Sequence, residues 1–213
     1  MLRLTLSVAL AALCLQGCDK NGPIQFVPES TEEFGFESSL EGWDVKAGNL
    51  EAPGALHVVR QSNVAPSTGS GSAEFRIDNF NSNARAWLQR VVTLTPDVEY
   101  SVTFELDLGS SDAGGTTPWH VVAAALPGTE VGASSMSDQG SAHVNAAASG
   151  VVFARRTFTL RVKSHAETGE VVLGLGIWGR TTGERVYHMD NVKIEFLRGS
   201  AVDGTPPGTN PVN

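Results

Sequence analysis

Between residues 98 and 108 the chain changes character at every step. Val98, Tyr100, Val102, Phe104, Leu106 and Leu108 alternate with Glu99, Ser101, Thr103, Glu105 and Asp107. A period of two predicts a strand with one face in a core and the other in water. An amphipathic helix would instead need apolar residues three and four apart. Phe158, Leu160 and Val162 repeat the pattern against Thr157, Thr159 and Arg161. Val192, Ile194 and Phe196 repeat it again against Asn191, Lys193 and Glu195. Shorter strands are predicted at 34–38, 42–47, 55–60, 72–79, 86–94, 119–125 and 170–178. Turn sequences such as Ala-Pro-Gly, Thr-Pro-Asp and Thr-Thr-Gly-Glu separate several of them. The fold class predicted is all-β, an antiparallel β-sandwich.

The start of the chain has a different character. Arg3 precedes an apolar run from Leu4 to Leu15, too short for a mature membrane span and suited to a signal segment. It leads into Leu15-Gln16-Gly17-Cys18, which resembles the lipobox of bacterial lipoproteins, with Gln16 standing where a small residue is usual. That resemblance implies removal of residues 1–17, acylation of Cys18 and attachment to a membrane of the bacterial cell envelope through acyl chains. Ordinary signal cleavage would instead leave Cys18 as a spare thiol. The other cysteine, Cys14, lies in the segment to be removed, so no disulfide or Cys-based metal site is expected.

Removal of Arg3 from 15 basic residues leaves 14 against 23 acidic ones, a net charge of −9. Such a surface repels phosphate backbones, and no basic stripe offsets it, so nucleic acid is not an expected partner. Residues 18–33, with two Pro and three Glu, are predicted to be a tether. Residues 198–213 contain Gly-Thr-Pro-Pro-Gly-Thr-Asn-Pro and are predicted to be a disordered tail. The sandwich domain would then span 34–197. Within it, 109–117 holds only Gly, Ser, Asp, Ala and Thr, and 132–150, long for a loop and dominated by Gly, Ala and Ser, is expected to be a disordered or uninformative insertion rather than a functional loop.

Several chemistries find no support. Gly174-Leu-Gly176-Ile-Trp-Gly179 has dinucleotide-motif spacing, but Val171, Leu173, Leu175 and Ile177 continue a strand where that motif needs a helix. His57, His120, His143, His165 and His188 show no metal-site spacing, and His188 is expected to be an interior histidine rather than a base. There is no Gly-x-Ser-x-Gly elbow. A glycosidase carboxylate pair meets only in three dimensions, which spacing does not decide. The expectation is that the protein is not an enzyme.

Five segments in order carry a family resemblance. They are Phe34-Gly-Phe-Glu-Ser-Ser-Leu-Glu-Gly-Trp-Asp-Val, Gly71-Ser-Ala-Glu-Phe-Arg-Ile, Trp87-Leu-Gln-Arg-Val-Val-Thr-Leu, Thr95-Pro-Asp-Val-Glu-Tyr-Ser-Val-Thr-Phe and Met189-Asp-Asn-Val-Lys-Ile. Together they resemble the galactose-binding-domain-like jelly rolls that include xylan- and glucan-binding carbohydrate modules. The resemblance implies a jelly roll over about residues 34–197, with Trp43 in the core. It also implies that Glu37 and Asp190 lie side by side, able to complete a structural calcium (Ca²⁺) site with the Gly35 carbonyl. Asp190 shares strand parity with Val192, Ile194 and Phe196 and is expected to point inward, where a lone carboxylate needs a partner or a metal. The alternative is a hydrogen-bonded Asp190 with no ion.

A sugar-binding module needs a flat aromatic face with polar groups beside it. Trp178 falls opposite Leu173, Leu175 and Ile177, beside Gly174 and Gly176, so an indole could border a shallow trough with Arg180 within reach. The plainer alternative is that Trp178 covers the glycines or is itself buried. Trp87 with Gln89, and Trp119, are the other candidates. Two functions from different classes follow: a non-catalytic carbohydrate-binding lipoprotein of the cell envelope, or a structural module that docks an envelope protein. A tryptophan beside a polar groove would favour the glycan, and an apolar patch would favour the protein partner.

Overall fold

In a computed structural model, described at residues 24–50, 56–80, 82–110, 119–144 and 150–201, the predicted strands pack as two antiparallel sheets. Cys18, the signal segment 1–17, most of 109–117 and most of the predicted tail lie outside the described residues.

One sheet has the order β3 (Leu56–Ser62), β4 (Ser72–Asn79), β11 (Gly183–Ala201), β6 (Glu99–Ser110) and β9 (Val152–Lys163). β1 (Ile24–Phe34) also pairs with β11. The other sheet has the order β2 (Asp44–Gly48), β5 (Arg85–Thr93), β10 (Glu170–Gly179), β7 (Trp119–Pro127) and β8 (Ser137–Ser141). Consecutive strands repeatedly change sheets, as a jelly roll requires. The strand predicted at 72–79 has those bounds in the structure.

The core forms where the alternating faces meet. Tyr100, Val102, Phe104, Leu106 and Leu108 of β6 are fully buried, as are Phe75 and Ile77 of β4 and Leu173 and Ile177 of β10. Phe104 stacks on Phe158 of β9 at 5.3 Å. Each such aromatic or aliphatic side chain contributes about 2–3 kcal/mol by leaving water. Trp43 is in the core as expected, edge-on to Phe34 at 5.3 Å.

Three expectations about flexible segments are corrected. Residues 24–33 are not a tether but most of β1, and the Tyr100 hydroxyl donates to Glu29 of that strand at 3.1 Å. Pro28 and three glutamates disguised it, because a strand paired along one edge tolerates both. Within 132–150, Ala133–Ser135 forms a 3-10 turn and β8 pairs with β7. Strand β11 also runs to Ala201, beyond the predicted start of the tail at 198. Its compact unit is Phe26–Ser200.

The strand parity of β11 breaks at its middle. Met189 pairs with Leu108 and Asp190 with Asp107, but after a bulge Lys193 pairs with Glu105. Asn191, in the bulge, has φ of 47°. Tyr187 and Met189 face the core before the bulge, and Val192, Ile194 and Phe196 face it afterwards. His188 and Asp190 therefore lie on the outer face of the sheet, opposite the direction that uninterrupted alternation predicts.

Candidate functional site

Asp190 is nonetheless fully buried, because the segment between β3 and β4 covers it. Its Oδ2 accepts the Ser67 and Thr68 amides at 2.8 and 3.0 Å, and its Oδ1 accepts the Asn191 amide at 2.7 Å. Glu37 holds the other end of the same segment, accepting the amide and the hydroxyl of Ser70, each at 2.7 Å. The Ser70 hydroxyl, followed by its amide, holds the Glu37 carboxyl below the usual carboxylate range despite partial desolvation. Gly69 is required where Glu37 packs, since its φ is +62° and a Cβ there would lie 1.8 Å from Oε1.

This arrangement does not fit calcium. The oxygens of Asp190 and the bonded oxygen of Glu37 face N–H or O–H hydrogens, which present positive charge where a cation would sit. Among the described residues no three Asp, Glu, His or Cys side chains converge on a metal position. Gly35 borders a separate cavity of about 420 Å³ with Arg155, Asn191 and Lys193. Glu37 and Asp190 instead pin residues 67–71 to the sheet.

Beside them, His188 is buried and its Nδ1 lies 3.2 Å from the Ser72 hydroxyl. Burial holds its imidazole below the ordinary value, against the opposing effect of Glu74. It is a hydrogen-bonded buried histidine, as expected, but it lies on the outer face of the sheet rather than in the core.

The aromatic candidates separate. Trp119 is 1% exposed and packs in the core on Tyr187, with ring centroids 5.9 Å apart. Trp87 and Gln89 do lie together on the outer face of the five-stranded sheet, yet they are 3% and 4% exposed. Gln89 donates to the Thr129 carbonyl and accepts the Val131 amide at 3.1 and 3.0 Å. Trp87 packs with Val122, Val131 and Met136. None of these three residues can meet a ligand as placed. The trough over the glycines exists, but the protein fills it. A Cβ on Gly174 would come 2.8 Å from Met136 Sδ, and one on Gly176 would come 2.5 Å from Trp87 Cβ.

Trp178 packs against this cover but remains partly exposed. Pairing with β5 and β7 sets Arg85 on one side of it and His120 on the other. The Arg85 guanidinium lies 4.2 Å from the indole centroid and that of Arg180 lies 4.8 Å from it. The His120 ring centroid is 6.0 Å away. The indole N–H donates to Asn83 Oδ1 at 3.2 Å. His120 Nδ1 meets Asp138 Oδ1 at 2.6 Å, and Asp138 Oδ2 lies 3.9 Å from Arg180. Although burial raises it, Asp138 is held below the usual range by His120, the Gly140 amide and Arg180. The sequence pointed to Trp178 and Arg180. It missed Arg85, His120, Asp138 and Asn83, because their meeting depends on the β5–β10–β7 register and on β8.

No family model and no curated protein sequence matches the chain. Similar solved structures include a promiscuous carbohydrate-binding module of the β-sandwich superfamily. That match has 13% identity and a TM-score of 0.44, covering 78% of this chain and 62% of the other. A mannan-recognising carbohydrate-binding module gives 15% identity and a TM-score of 0.46, covering 80% and 98%. The K1 cleaved adhesin domain of Lys-gingipain from Porphyromonas gingivalis gives 16% and 0.49, covering 78% and 98%. At these values the fold assignment rests on the strand order and register of the chain itself.

Proposed function

We propose that the protein is a non-catalytic glycan-binding module of the bacterial cell envelope, held to a membrane by lipid on Cys18. The observation that carries the glycan reading is the surround of Trp178. It is a partly exposed indole with Asn83, Arg85, His120, Asp138 and Arg180 about it. Pyranose rings offer apolar C–H faces to an aromatic and hydroxyls to the polar groups at its edge. The anchor rests on the N-terminal sequence, whose run into Leu15-Gln16-Gly17-Cys18 suits acylation.

Native affinity electrophoresis of the full chain through gels containing individual polysaccharides tests the binding reading. Retardation by at least one polysaccharide, lost on Trp178→Ala with the circular-dichroism spectrum unchanged, is the expected result. Retardation by none would remove it. A second reading, docking of an envelope protein, has one observation in its favour. Leu56 and Val58 on edge strand β3 are 68% and 44% exposed.

A further inference from the structure

The charge around Trp178 narrows the kind of glycan. The chain as a whole is acidic, with a net charge of −8. Two guanidiniums nevertheless share one indole, at 4.2 and 4.8 Å from its centroid, so their central carbons are at most 9.0 Å apart. Like charges at that spacing repel unless something negative lies between or beside them. Among the ion pairs of the described residues, Asp138 meets Arg180 at 3.9 Å and also holds His120 at 2.6 Å. One carboxylate against two guanidiniums leaves a surplus of positive charge.

The two arginines are not equivalent. Arg85 is anchored, donating from Nη1 to the Ala133 carbonyl. Arg180 stands just beyond the end of β10 with its side chain 45% exposed, and its carboxylate partner is at the long limit of an ion pair. A planar guanidinium is suited to two parallel hydrogen bonds with a carboxylate or sulfate. Arg85 is thus the fixed charge beside the indole and Arg180 the freer one.

We propose that the glycan taken by this site is acidic, its carboxylate or sulfate group meeting Arg180 beside the Trp178 indole. This rests on the glycan reading and adds to it the chemical class of the ligand.

Affinity electrophoresis of the full chain tests it with four gels at low salt. Polygalacturonate carries carboxylates, dextran sulfate carries sulfates, and arabinoxylan depleted of uronate and galactomannan are neutral. The expected result is retardation by one or both acidic polymers. It should be reduced at least about tenfold in apparent affinity by Arg180→Gln, less by Arg180→Lys, and weakened by added salt. Which acidic gel retards the chain identifies carboxylate or sulfate. Arg161→Gln, on the other sheet, controls for overall charge and should leave retardation unchanged. An equal loss in that variant would overturn the inference as non-specific attraction. Retardation by the neutral polymers as strong as by the acidic ones, and unaffected by Arg180→Gln, would overturn the acidic class while leaving glycan binding intact. No retardation in any gel would overturn both.

Discussion

Asp107 and Asp190 stand directly opposite one another on β6 and β11, two carboxylates on the same face of one sheet. Their donors are divided between them. Asp190 takes the amides of Ser67, Thr68 and Asn191, while Asp107 takes the Ser67 hydroxyl, the Asn191 side-chain amide and Arg155. Burial pushes the Asp107 carboxyl up, but Asn191, Ser67 and Arg155 together hold it below the usual range. The pair therefore fastens the segment between β3 and β4 over the sheet through these hydrogen bonds.

Asp190→Ala is expected to destabilise the fold by about 1–2 kcal/mol, since it leaves the part-buried amides of Ser67 and Thr68 without their acceptor. Asp190→Asn keeps an acceptor oxygen and should cost roughly half as much. Urea unfolding midpoints of the two variants check the order. Equal effects would mean that charge rather than the amide bonds matters.

Calcium should be without effect on stability. Millimolar Ca²⁺ or a chelator is expected to move the thermal midpoint by less than about 1 °C, because a ligand stabilises only the state that binds it. Differential scanning calorimetry reads this directly. A rise of several degrees with calcium would show that Glu37 and Asp190 can turn from their amide partners to an ion.

Acid should weaken the fold in two stages. His188 is lowered by burial, so its contribution is complete above its ordinary value of about 6.5. As pH falls below that value, the unfolded chain takes up the proton more readily and stability declines until the lowered folded value is passed. Asp107 and Glu37 are also lowered. Their contributions are present above the ordinary carboxylate range of about 4 and are lost as pH falls through it. Denaturant midpoints measured from pH 8 to 3 should show both declines, and His188→Gln should remove the first. A midpoint unchanged between pH 7 and 5 in the native chain would contradict the assignment.

The two glycines beneath the outer cover differ in what surrounds them. A Cβ on Gly176 would lie 2.2 Å from the backbone oxygen of Ala86, whereas on Gly174 the nearest atom is the flexible Met136 Sδ at 2.8 Å. Gly176→Ala is expected to cost about 3 kcal/mol and Gly174→Ala about 1 kcal/mol. Chemical denaturation of each would reveal a reversed order if Met136 could not give way.

The strands whose alternation is clean were readable from the chain. The segments at 72–79, 86–94 and 170–178 match β4, β5 and β10 to within about a residue at either end. What escaped was whatever depends on a second segment. β1 is exposed along most of its length and carries Pro28, so its pairing with β11 left no apolar signature. The Asn191 bulge reversed the direction in which Asp190 faces, and no composition cue marks a bulge at Asn. Trp87 and Gln89 share a face, as their spacing implies, but the residues that bury them, Thr129 to Met136, are too small and polar to announce packing. Trp178 packs against the same cover yet stays partly exposed, which is why it alone of these candidates carries the proposed site.

Trp178 also has its own optical signal. Of the four tryptophans, Trp43, Trp87 and Trp119 are no more than 5% exposed, so a collisional quencher in water reaches chiefly Trp178. Acrylamide quenching of the full chain, with and without saturating polygalacturonate, is the most direct measurement of whether this indole meets a glycan. Protection of the quenchable fraction by the polymer, and loss of that fraction in Trp178→Phe, is the expected result. A quenchable fraction that is the same with and without polymer, in a sample where the polymer is bound, would contradict a binding site at Trp178.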